Sequence, residues 1–237
     1  MTAWRTRLSD DDGFSLVELL VAMVLGSIVL TATMTLFTTG LVGAGRVMDR
    51  VDAEQRGRVA MDRITSLLNG QECLLNNDSS TTPAIVSGTA TSLTFYADLN
   101  GASDTPSQYT IAYDATAKAL TLTTVAGSGV MGSSQTPLKF NATPKKQRLA
   151  DQVQQPKNSQ TGAALPIFSY YAFTSTGTVD ESSPISTVDT TNNRSIVRVG
   201  VQFQINSSRT QTDDARREVI QGQGVLSSAD PTDQTSC

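Results

Sequence analysis

The 237-residue chain contains no histidine. That absence removes Ser-His-Asp and Cys-His nucleophilic arrangements together with every histidine-ligated metal centre. Cysteine is almost as scarce, with Cys73 and Cys237 alone, and two thiols without histidine cannot complete a four-ligand zinc site. Charged residues make up 17% of the chain and the formal charge is −4, so bulk electrostatics does not favour nucleic acid as a partner. A Gly-x-Ser-x-Gly elbow, a Ser-x-x-Lys pair and a phosphate-binding glycine loop are missing as well. Carboxylate-pair glycosidase chemistry needs none of these and stays open on composition alone. No catalytic residue and no cofactor is assigned.

What the chain does have is one long apolar run, Phe14 to Val42, whose single charge is Glu18. It exceeds the about 20 residues that a helix needs to cross a bilayer core. A charge in mid-membrane is costly, so a carboxylate in the first turns implies an interfacial position or a cationic partner. The tract before it, residues 1–13, is polar and carries Arg5, Arg7 and Asp10-Asp11-Asp12. A secretory signal peptide places its cleavage site after the apolar core. Here the suggestive junction, Gly13-Phe14, lies before the core, so cleavage there would retain the helix.

Gly13, Phe14, Glu18 and the run that follows resemble the class III signal of type IV prepilins and type II secretion pseudopilins. The resemblance implies that a prepilin peptidase cuts after Gly13 and that the new terminus, Phe14, is N-methylated. It also implies that Glu18 pairs with the Phe14 amine of a neighbouring subunit during filament assembly. The implied partners are that peptidase, other major and minor pilins, an inner-membrane assembly platform and membrane lipid. The implied location is a single pass in the cell membrane with the C-terminal domain extracytoplasmic. One departure stands out: acidic residues, not basic ones, sit next to the junction, which weakens the positive-inside bias. Losing residues 1–13 would move the formal charge from −4 to −3.

Beyond Val42 the composition turns to alternating charge. Val47, Val51, Gln55, Val59, Ile64, Leu67 and Leu68 recur at roughly helical spacing, which predicts an amphipathic extension over residues 43–70. Asn69-Gly70 is the expected stop, on the ground that glycine tolerates the left-handed C′ conformation. A continuous helix of that length would extend about 80 Å at about 1.5 Å per residue.

From residue 71 to 237 the pattern is β-like. Ser92–Ala97, Tyr109–Tyr113, Ala119–Thr123, Ile167–Phe173 and Ser195–Ile205 read as strands, the second and third joined by a polar turn at Asp114–Lys118. In the last, Val197, Val199, Val201, Phe203 and Ile205 share one face, as in a sheet buried on one side against the amphipathic helix. Gly127–Ser134, Thr143–Gly162, Ser175–Asn193 and the tail from Ser227 read as polar surface loops. The expected class is therefore α+β: a long N-terminal membrane-spanning helix packed on a C-terminal antiparallel sheet domain, similar to type IV pilins. Phe95-Tyr96-Ala97-Asp98-Leu99-Asn100-Gly101 resembles a motif of J-type minor pseudopilins, and Glu18 argues against the K-type tip subunit.

On that topology both cysteines are extracytoplasmic, where disulfides persist. An intramolecular Cys73–Cys237 bond leads, followed by two free thiols, then by an intermolecular bond or metal binding. Asp98, Asn100 and Asp104 around Gly101 faintly resemble a calcium ligand set. No glutamate closes that loop and Asx-Gly sequences form ordinary turns, so no metal is assigned. Lys145, Lys146 and Arg148 form a basic cluster without interleaved aromatics, read as a solvated loop in preference to a nucleic-acid contact. The functional expectation is a minor pilin or pseudopilin that assembles into, or primes, a type IV pilus-like or type II secretion filament. Its rival is a membrane-anchored extracytoplasmic module that binds polysaccharide or DNA and never assembles.

Overall fold

The computed structural model describes residues 15–76, 78, 80–99, 105–206, 218–225 and 237. Gly13, Phe14, Asn100 and Asp104 lie outside them. The chain divides into two compact units, one ending at Met48 and one running from Asp49 to Cys237.

Helix α1 covers Leu16–Asn69. Its stretch in the first unit exposes its apolar side chains all round, Leu16, Leu20, Val24, Ile28, Leu36, Phe37 and Leu41 among them. By length and composition this stretch is able to cross a membrane, and a helix apolar all round is the kind that does so. In the second unit α1 buries Ala53, Gly57, Ala60, Met61, Ile64, Leu67 and Leu68. This corrects the predicted stripe: Val47, Val51 and Val59 are 64%, 46% and 69% exposed, and Gln55 is exposed too. Residues four apart advance by about 40° per step at 3.6 residues per turn, so the valine series winds away from the buried face. The C-terminal part of the stripe, Ile64, Leu67 and Leu68, is buried as expected, whereas nearer the first unit the inward positions are the small Ala53, Gly57 and Ala60, which hydropathy periodicity underweights.

Small residues are what the contact requires. Gly57 faces Ile205 and Ile220, while Met61 and Leu68 face Gly222 and Gly224, so helix and sheet approach closely. The helix ends at Asn69 as expected, but Gly70 is not left-handed. Its value lies in space: a Cβ there would come within 2.7 Å of Leu99 Cδ2.

The strands are β1 (Leu74–Leu75), β2 (Thr81–Thr82), β3 (Ile85–Gly88), β4 (Ser92–Ala97), β5 (Ser107–Asp114), β6 (Ala119–Val125), β7 (Lys145–Asp151), β8 (Val153–Gln154), β9 (Phe168–Ala172), β10 (Ile196–Ile205) and β11 (Glu218–Val225). Among the described residues they form three sheets: β1-β2, a five-stranded sheet in the order β3-β4-β5-β6-β7, and a four-stranded sheet in which β10 pairs with β11, β8 and β9. Every pairing is antiparallel. The five predicted strands correspond to β4, β5, β6, β9 and β10. The stretch Thr143–Gly162, expected to be a surface loop, instead holds β7 and the two-residue β8. The first four residues of β7, Lys145 to Arg148, are all exposed, so it lacks a hydrophobic signal of its own and owes its order to the ladder with β6.

The two larger sheets share one core, and Tyr170 joins them. Fully buried on β9, its hydroxyl lies 2.9 Å from the carbonyl oxygens of both Thr89 and Ser92, to which it donates. Burial raises the phenol's pKa well above its ordinary value. Up to about pH 10 the phenol is protonated folded and unfolded alike; above that only the unfolded chain releases the proton, so stability falls as pH rises. Tyr170→Phe should cost about 0.5–1.5 kcal/mol, the net worth of the hydroxyl's hydrogen bonding to the Thr89 and Ser92 carbonyls, and should flatten the alkaline limb. Denaturant titrations between pH 8 and 11 check both effects, and an unchanged alkaline slope in the variant would contradict this account.

Candidate functional site

Glu18 sits in the first turn of α1, which opens with the Leu19 amide donating to the Ser15 carbonyl at 3.1 Å. A carboxylate there gains from the positive end of the helix dipole. Among the described residues no cation is paired with it. It remains the one charge in the apolar run that ends at Val42, part of a helix long and apolar enough to cross a membrane.

That segment also carries hydroxyls, and the structure shows how they are accommodated. Thr31 donates to the Ser27 carbonyl at 2.8 Å, Thr35 to the Thr31 carbonyl at 2.9 Å and Thr39 to the Thr35 carbonyl at 2.8 Å. Ser27, Thr33 and Thr38 likewise bond back to carbonyl groups three or four residues earlier. Hydroxyls satisfied within their own helix escape most of the cost of leaving water. The four-residue spacing of Ser27, Thr31, Thr35 and Thr39 was visible in the sequence, although a hydropathy reading passes over it.

Cys73 and Cys237 are joined by a disulfide, with S–S 1.97 Å, Cα–Cα 6.1 Å and 164 residues of separation. The bond ties position 237 to the segment after α1, beside β2, where Cys237 Sγ lies 3.9 Å from the Thr82 carbonyl oxygen. Asp98 is described and half-buried, while Asn100 and Asp104 fall outside the described residues. Among the described residues no cluster of three or more His, Cys, Asp or Glu could hold a metal ion.

Lys145, Lys146 and Arg148 lie not in a loop but on β7, the edge of the five-stranded sheet. Arg148 Nη1 bonds Asp151 Oδ1 at 2.8 Å. Charge, lysine above all, on an edge strand blocks strand addition by other chains, and this accounts for the cluster without a nucleic acid. The tyrosines pack within the sheets: Tyr109 stacks on Phe95 at 5.8 Å and Tyr96 on Phe140 at 4.8 Å. Sequence reasoning missed one further group, on the outer face of the four-stranded sheet. There Arg198 Nη1 bonds Glu181 Oε1 at 2.7 Å and the Arg198 guanidinium lies 4.3 Å from the Tyr171 ring centroid.

The most informative part of the chain is therefore its start, where one carboxylate heads an exposed apolar helix that continues into the sheet unit. Residues 8–34 match the family model described as the prokaryotic N-terminal methylation motif. The match takes in Gly13, Phe14 and Glu18. No curated protein matches the chain.

Proposed function

We propose that the chain is a pilin-like filament subunit, a minor pilin or pseudopilin of the J type, which is cut after Gly13, methylated at Phe14 and assembled through α1. The observation that carries this reading is the methylation motif at residues 8–34, placed at the head of an exposed membrane-capable helix whose far end is built into an antiparallel sheet unit. Residues 1–13 are the leader and residues 14–42 the assembly helix. The sheet unit lies outside the cytoplasm, where the Cys73–Cys237 bond persists. The chain acts as substrate of a prepilin peptidase and not as an enzyme. Its partners are other pilins, the assembly platform of the inner membrane and lipid. Within the filament the Glu18 carboxylate neutralises the Phe14 amine of the adjacent subunit. Each charge would be expensive alone in a low-dielectric setting, and together they fix the axial register.

Intact-mass analysis of the membrane-extracted chain tests the processing step. The expected mass is that of residues 14–237 with one added methyl group. Replacing Gly13 with a bulky residue should retain the leader on nearly all of the protein. An unprocessed wild-type chain, or one starting beyond Val42, would overturn the proposal.

A further inference from the structure

Gly200 leaves a dent in the outer face of the four-stranded sheet. Along β10 the residues alternate, with Val199, Val201, Phe203 and Ile205 buried and Arg198, Gly200, Gln202 and Gln204 on the opposite face. Gly200 pairs with Ser169 of β9 on one side and Gln223 of β11 on the other. A glycine in the middle of a central strand gives up packing and order, and it commonly marks a place where another molecule comes close. Here the molecule that comes close is first the chain itself, the Tyr171 ring lying 3.2 Å from where a Cβ would stand, and beside that ring the backbone of Gly200 floors a depression of about 330 Å³ lined by Ser169, Tyr171, Glu181, Arg198, Gln202 and Gln221. That volume lies at the small end of the range for ligand pockets, about 300–1,000 Å³.

The lining selects the ligand. Arg198, with a side chain only 13% exposed, is already neutralised by Glu181 and lies over the Tyr171 ring. A free anion would meet the Glu181 carboxylate and a free cation the Arg198 guanidinium, so neither gains from the site. What remains is a neutral mixture of donors and acceptors: the Ser169 hydroxyl and the Gln202 and Gln221 amides. Gln202 is held in place by its Nε2 donating to the Pro166 carbonyl at 3.0 Å, which leaves its Oε1 uncommitted among the described residues. Planar amides beside a carboxylate and a hydroxyl match the closely spaced hydroxyls of a sugar. The lining is too polar for a hydrocarbon, and its place on a sheet face gives a peptide strand no edge to extend.

We propose that the depression over Gly200 binds a neutral saccharide of one or two units. The site lies wholly within the sheet unit, so this inference stands or falls independently of filament assembly. The test uses the full chain in a zwitterionic detergent free of sugar groups. Saturation-transfer NMR and titration would be run with galactose, N-acetylglucosamine, cellobiose and, as an anionic control, galacturonate. At least one neutral sugar should saturate with a Kd at or below about 1 mM, and galacturonate should bind more weakly than galactose. Gly200→Val puts a side chain on the floor and against the Tyr171 ring, and Gln221→Ala removes an exposed rim amide; each should weaken binding about tenfold or more. Gln221→Ala leaves the buried face untouched, so it remains informative if Gly200→Val fails to fold. The proposal is overturned by no neutral-sugar signal at about 10 mM, by a preference for galacturonate, or by Gln221→Ala binding as wild type.

Discussion

Glu18→Ala should yield a chain that inserts in the membrane, is cut after Gly13 and folds normally, yet enters filaments about tenfold less well or worse. Insertion survives because losing a charge makes the first turns of α1 more apolar. Folding survives because Glu18 belongs to the unit that ends at Met48, while the core is built from residues after it. Assembly suffers because the substitution removes only one partner of the proposed pair and strands the Phe14 amine of the neighbouring subunit. Breaking a buried pair costs far more than never having formed it, and even about 1.4 kcal/mol is tenfold in an equilibrium. Glu18→Gln separates charge from hydrogen bonding and should be impaired nearly as much as alanine. The measurements are co-purification with other pilins and a count of filaments per cell. Wild-type values for both with Glu18→Ala would remove the charge pair from the mechanism and favour a membrane-anchored module that does not assemble.

The second large effect concerns the Cys73–Cys237 bond. It closes a loop of 164 residues, which contains all of the strands among the described residues. Constraining so long a segment in the unfolded chain favours the upper part of the usual range, and losing the bond should cost about 2–5 kcal/mol. For a unit of this size that corresponds to a fall in Tm of about 5–15 °C. Cys73→Ser and Cys237→Ser should each show the loss, and reductant should lower the Tm of the wild type but of neither variant. Thermal unfolding of the full chain followed by circular dichroism supplies the comparison. A wild type indifferent to reductant, with both thiols alkylated beforehand, would mean that the bond does not form in the cell.

Much of this molecule can be read from its residues because local pattern and final structure agree. The run from Phe14 to Val42 with Glu18 near its head specifies a membrane-capable helix by length and hydropathy, properties that do not depend on neighbours. β4, β5, β6 and β10 announce themselves by alternation, since one face of each meets the core. Asp114–Lys118 marks a turn because its residues favour turn conformations, with Asp114 Oδ1 accepting the Thr116 and Ala117 amides. With only two thiols, the single intramolecular disulfide connectivity is legible as well.

What escapes the sequence are the features that exist only once distant segments meet. β7 is a strand because β6 offers it a ladder, and its exposed lysines carry no periodic signal. Between residues 53 and 60 the buried face of α1 is Ala53, Gly57 and Ala60 in preference to the valines, because the sheet comes so close that small side chains fit where larger ones do not, whereas Ile64, Leu67 and Leu68 farther on are both apolar and buried. The division of the strands into separate sheets, and the role of Tyr170 in joining them, rest on pairings between residues far apart in the chain. The dent over Gly200 likewise needs the registers of β9, β10 and β11 together, since a missing side chain becomes a cavity only when its neighbours stand around it. Sequence alone determined the anchoring helix, its lone carboxylate and the class of the fold, because hydrophobicity and alternation act locally. Tertiary structure alone decided which helix face is buried, which strand guards the sheet edge and where the outer face is hollow, because each of these is set by contacts between segments.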